Sequence, residues 1–174
     1  MKSLGFSLIE ILIVLMIVTV LAVGVSLSLK SFWQNAQSNT LRTGILQAMQ
    51  LARFSAISHN EKIILCKSNN QATCDGDWQD GFIVQRKNSF VLHAYHFENI
   101  NGKIFSRFFP KGRETLEFLP NGWPEVQNGT FWYCNKHEKY PRWAIMINRS
   151  GRAREVFPDA DGRIIDGRHQ VLGC

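Results

Sequence analysis

The chain has 174 residues, a mean hydropathy of −0.13, and 20 lysines and arginines against 14 aspartates and glutamates, for a formal net charge of +6 and a pI near 9.4. That length holds one globular domain with a core of its own and argues against a second. The basic balance suits anionic partners such as nucleic acid or lipid headgroups, but it equally serves ordinary solubility, so charge alone does not choose.

The chain opens with Gly5-Phe6-Ser7-Leu8-Ile9-Glu10, and the run from Ile11 through Leu29 carries no charged residue. About 18 or more apolar residues suffice for a helix to cross a bilayer. Glu10 is the anomaly in it, because a carboxylate in hydrocarbon is costly and is usually kept for a paired role. A secretory signal would place a small-residue cleavage site after its apolar core. Here the small residue, Gly5, precedes that core.

From 6 to about 58 there is no proline, and beyond Lys30 the residues Leu41, Ile45, Ala48, Met49, Ala52 and Ala56 recur at steps of three and four. That spacing predicts a continuing amphipathic helix with one apolar stripe laid on a sheet. Gly24 and Gly44 are expected to loosen it locally.

Past Asn60 the texture changes to short β-rich runs, with strands expected over 62–67, 82–87, 90–97, 103–109, 115–119, 131–134, 143–148 and 152–157. The separators Asp75-Gly76, Asn101-Gly102, Asn121-Gly122 and Ser150-Gly151 carry turn chemistry. The four cysteines, Cys66, Cys74, Cys134 and Cys174, all follow the apolar segment, and an even number there fits disulfides in an oxidising compartment. Three pairings are open; the favoured one closes a short loop with Cys66–Cys74 and ties the C-terminus to a strand with Cys134–Cys174.

The richest candidate chemistry is Asn148-Arg149-Ser150-Gly151-Arg152-Ala153-Arg154. After a tight turn at Ser150-Gly151, Arg152 and Arg154 fall on the same side of a strand, about 7 Å apart. Two forked guanidinia at that spacing suit neighbouring phosphates. Arg149, Arg163, Arg168 and Lys136 would extend a basic surface that Asp159, Asp161 and Asp166 dilute. The competing reading is a solvated strand face with Glu155 neutralising one arginine.

Other constellations are weaker. His93 and His96 are three apart in an expected strand and should point to opposite faces. Asp75, Asp77 and Asp80 fall out of step with a calcium loop, with Arg86 where the terminal glutamate belongs. No nucleophile elbow, P-loop or dinucleotide fingerprint occurs, so neither an enzyme nor a cofactor nor a metal is expected. Trp78, Trp123, Trp132, Trp143 and Phe131 suit core packing better than base stacking.

Gly5 through Glu10 with the apolar helix behind them closely resemble the class III signal of type IV pilins and type II secretion pseudopilins. The resemblance implies a leader, 1–5, cut by a prepilin peptidase between Gly5 and Phe6, with N-methylation of Phe6. It also implies that Glu10 pairs with the amino terminus of a neighbouring subunit during assembly. The order of Cys66 and Cys74, Trp78-Gln79-Asp80-Gly81-Phe82, Phe118-Leu119-Pro120-Asn121-Gly122 and a late Gly-Arg hairpin resembles the GspH/FimT family of minor pilins and pseudopilins. Within it, Gly151, Arg152 and Arg154 are similar to the Gly-Arg-x-Arg DNA-binding motif of FimT-type minor pilins involved in natural transformation.

The expected protein is therefore α+β and pilin-like. Its parts would be a transmembrane helix over 6–29, an amphipathic continuation over 30–58, and an exported, mainly antiparallel β head over 59–174 that forms one domain with that continuation. It would sit in a bacterial inner membrane with its head in the periplasm, and then in a filament among other pilin subunits, binding DNA without regard to sequence. The alternatives are a structural minor pilin or pseudopilin that binds no DNA, and an ordinary single-pass membrane protein.

Overall fold

The computed structural model describes residues 7–126 and 128–174, apart from the side chains of 22–31. Gly5 and Phe6 lie outside the described residues. One helix, α1, runs Leu8–His59, and eight strands follow: β1 Ile63–Lys67, β2 Gly81–Arg86, β3 Val91–His96, β4 Gly102–Phe109, β5 Leu116–Phe118, β6 Asn128–Asn135, β7 Trp143–Ile147 and β8 Ala153–Val156. By its contacts the chain divides into two units, Met1–Gln37 and Ser38–Cys174, with the boundary inside α1.

In the first unit, the large apolar side chains from Leu8 to Leu21 are each more than half exposed. Among the described residues no helix is long and apolar enough to cross a membrane. Of the expected span over 6–29, Phe6 and the side chains of 22–29 lie outside the described residues.

The second unit begins at Ser38, the first buried residue among the described side chains, whose Oγ accepts a 2.9 Å bond from Trp143 Nε1. Leu41, Ile45, Ala48, Met49, Ala52 and Ala56 are all buried, so the helical stripe is the helix's core face. Gly44 interrupts nothing. A Cβ there would stand 3.2 Å from the Phe97 ring and 3.5 Å from that of Phe82, so its missing side chain is what lets the rings close on the helix.

The strands form two four-stranded antiparallel sheets, ordered β3-β2-β1-β5 (sheet A) and β4-β6-β7-β8 (sheet B). Alternate residues of each send Ile63, Leu65, Phe82, Val84, Leu116 and Phe118, or Ile104, Phe108, Phe131, Tyr133, Trp143, Ile145 and Ile147, into one core with the α1 stripe. Trp78 joins this core and donates to Ser106 Oγ of β4 at 3.0 Å.

Both favoured disulfides are formed, Cys66–Cys74 and Cys134–Cys174. The second ties the C-terminal segment, 158–174, to β6 on the outer face of sheet B. A smaller core of Ala144, Met146, Ile164 and Leu172 forms there, against Trp132 and Val156.

Candidate nucleic-acid interface

The turn between β7 and β8 is built by one side chain. Asn148 Oδ1 accepts from the backbone N–H of Ser150 at 3.1 Å and of Arg152 at 3.0 Å, and from Ser150 Oγ at 2.8 Å. Gly151 N–H donates to Asn148 O at 2.9 Å and closes the turn. Gly151 adopts φ +75°, which favours glycine, and a Cβ on it would lie 2.8 Å from the carbonyl oxygen of Gly122. Arg53 of α1 also donates to Gly151 O, at 3.3 Å. The turn is thus seated between the helix and the Leu119–Trp123 loop, and this fixes where β8 starts.

From that start, alternation decides the faces. Ala153 packs on the main core, and Glu155 lies 3.6 Å from Arg42 Nε, with the Arg42 guanidinium also over the Phe157 ring at 5.0 Å. Glu155 is therefore turned away from Arg152 and Arg154, one of which the competing reading had it neutralise. Arg152 and Arg154 are exposed on the outer face. Arg154 Nη2 donates to Met146 Sδ at 3.6 Å, and among the described residues no carboxylate forms an ion pair with either arginine.

Strand register adds a residue that the sequence did not single out. Arg107 of β4 pairs with Thr130 of β6, Thr130 with Met146 of β7, and Met146 with Arg154 of β8, so all four share one cross-strand row. Three strand spacings put Arg107 and Arg154 about 14 Å apart. Between them lies a cleft of about 320 Å³ that Arg152 and Arg168 also line. Arg107 stacks over the Trp132 ring at 5.5 Å.

Four guanidinia thus line a cleft that also holds one carboxylate, that of Asp166, whose side chain is 3 % exposed. Its Oδ1 accepts from Arg168 N at 2.8 Å and Gln170 N at 2.9 Å, while its Oδ2 accepts from Arg107 Nη2.

The structure brings Arg152, Arg154 and Arg168 together and separates the rest. Arg149 is exposed on the turn without lining the cleft. Arg163 pairs with Asp161 and lies 3.8 Å from Asp159, so its charge is locally cancelled. Lys136 lines a different groove, with Lys103, His137 and Glu138. Of the tryptophans, Trp78 and Trp143 are in the main core. Trp132 stacks on Phe105 at the outer face, and Trp123 stays half exposed. Lys103, Phe105, Arg107 and Phe109 alternate along β4, and that is the only signal by which Arg107 was legible; its partnership needed the register.

The model of the family described as type II transport protein GspH matches residues 43–151, most of the second unit. The chain belongs to the GspH family. A second model, the prokaryotic N-terminal methylation motif, matches residues 1–26 of this GspH-family subunit. Together they make it a minor pilin or pseudopilin, of a type IV pilus or a type II secretion apparatus, that assembles with other pilin-type subunits. Its fold is similar to that of the type IV minor pilin FimU of Pseudomonas aeruginosa, with a TM-score of 0.50 at 20% identity over 70% of this chain and 91% of that one. The minor pseudopilin EpsH of the Vibrio cholerae type 2 secretion system aligns at TM-score 0.47 and 10% identity, over 70% of this chain and 97% of that one. No curated protein sequence matches. The GspH match ends at Gly151, so Arg152, Arg154 and the C-terminal wall of the cleft lie beyond it.

Proposed function

We propose that this GspH-family subunit is a type IV minor pilin that binds DNA through its phosphate backbone, without regard to sequence, during DNA uptake. The observation that carries the reading is that Arg152, just before β8, and Arg154 within it stand exposed on one side while the adjacent Glu155 is engaged by Arg42 on the other. Guanidinia unpaired with carboxylate are available to phosphate, where they form charge-assisted, forked hydrogen bonds. Contacts confined to phosphates give weak, salt-sensitive binding, which several subunits along one DNA would strengthen by avidity.

In the same reading, a prepilin peptidase cuts between Gly5 and Phe6. The apolar half of α1 then holds the subunit in the inner membrane with its second unit in the periplasm, and Glu10 pairs with a neighbour's amino terminus as the filament grows. The second reading, a structural subunit of a pilus or secretion filament that binds no DNA, draws on Phe54 and Phe90, which are 70% and 60% exposed and suit contact with other subunits.

The deciding experiment is duplex binding by the detergent-solubilised full chain across a salt series, beside an Arg152→Gln, Arg154→Gln variant. The expected outcome is binding whose logarithm falls linearly with the logarithm of salt, with the slope reduced by about 0.9 for each arginine removed. A folded wild-type chain that binds no duplex at low salt decides for the structural reading.

A further inference from the structure

The cleft on sheet B has a wall that does not belong to the sheet. Its residues come from the hairpin closed by Leu172 N–H donating to Ile164 O at 2.8 Å, with Asp166 N–H donating to Gln170 O at 2.9 Å and His169 N–H to Asp166 O at 3.1 Å around its turn. Two anchors hold this segment on the sheet. At the turn, buried Asp166 binds the Arg168 and Gln170 amides with one oxygen and Arg107 of β4 with the other. At the end, Cys174 is bonded to Cys134 of β6, and Gly173 O accepts from Trp132 Nε1 at 3.0 Å.

Arg168 stands between these anchors. Its side chain is 43 % exposed, and its Nε forms only a loose ion pair with Asp166 Oδ2, at 3.8 Å and without a hydrogen bond. Asp166 is meanwhile occupied by two amides and by Arg107, so it fixes the backbone under Arg168 while leaving that guanidinium able to reach the cleft.

We propose that the phosphate site is the whole cleft, with a backbone phosphate held between Arg152 and Arg154 on the β8 wall and Arg168 on the opposite wall. Arg107, Asp166 and the Cys134–Cys174 disulfide are positioning groups that keep Arg168 in place. This rests on the DNA-binding reading and adds to it a third phosphate ligand and a dependence on the disulfide. The physical reason is preorganisation: an arginine on an unanchored terminus would lose conformational entropy on each binding event, and the two anchors remove that loss beforehand.

The test is a double-mutant cycle on the detergent-solubilised full chain with a duplex of mixed sequence, read as affinity and salt slope. Arg168→Gln should weaken binding about eightfold at 0.1 M salt and reduce the slope by about 0.9. The Cys134→Ser, Cys174→Ser pair should do the same, and combining all three changes should cost no more than either alone, because the disulfide acts through Arg168. Should the serine pair fail to fold, Arg107→Gln takes its place as the change that frees the turn. Losses that add, or a slope untouched by Arg168→Gln while the parent binds, overturn the cradle and leave the β8 arginines as the site. A parent chain that binds no duplex overturns the cradle and the DNA reading together.

Discussion

Gly151 is where chain geometry and candidate chemistry meet. Its φ of +75° and the 2.8 Å that would separate an added Cβ from Gly122 O mean that any side chain strains the turn and pushes against a backbone carbonyl. Gly151→Ala should therefore destabilise the second unit by about 1–3 kcal/mol. It should also displace the first residue of β8, lowering DNA affinity with both arginines still present. Denaturant midpoints beside binding curves check this, and an unchanged midpoint would show that the loop under Gly151 yields freely. Asn148 works at the same scale: it lines the cleft, and its one side-chain oxygen organises the turn that aims Arg152.

Among the elements, the β6–β7 connection carries the clearest pH signature. Arg142 Nε donates to Glu138 Oε1 at 2.9 Å and Oε2 at 3.1 Å, and its Nη2 to Oε1 at 2.7 Å. These bonds hold the Glu138 carboxyl below its ordinary value. A depressed carboxylate stabilises the fold fully above its unfolded value of about 4.3 and loses that contribution as pH falls through the folded one. With each partner about a third exposed, the effect is under about 1 kcal/mol. Glu138→Gln should thus lower the melting temperature slightly at pH 7 and leave it near the parent's at pH 3. An equal gap at both pH values would refute the pairing as its cause. The same scale shows what the sequence made legible. The stripe from Leu41 to Ala56 was readable because it is a local period, and the eight strands because each is a short β-rich run bounded by turn residues. The division into two sheets, β5 pairing with β1, and Arg107 sharing a row with Arg154 were not, because register is settled between strands far apart in the chain. Arg163 pairs with Asp161, one of the aspartates expected to dilute the basic surface, and which arginine those aspartates would meet was set by the turn in the same way.

For the molecule as a whole, the methylation motif over residues 1–26 and the GspH match over 43–151 lead to one processing prediction. Protein recovered from cells with an active prepilin peptidase should begin at N-methylated Phe6 when its intact mass and N-terminal peptide are measured. Chains retaining Met1 would count against the proposed leader. The Cys134–Cys174 bond has a mechanical meaning as well. It closes a covalent ring around β7, β8 and every arginine of the cleft except Arg107. Along the covalent chain, a pull exerted on those ring arginines reaches β6 and the residues before it through Cys134, by two strands of polypeptide in parallel. If β7 and β8 tear away, the molecule pays out slack only as far as the ring opens, because an extended chain gains about 3.3–3.6 Å per residue and a closed one must return on itself. A tethered load would therefore meet a fixed limit of extension in this region, set by a single covalent bond.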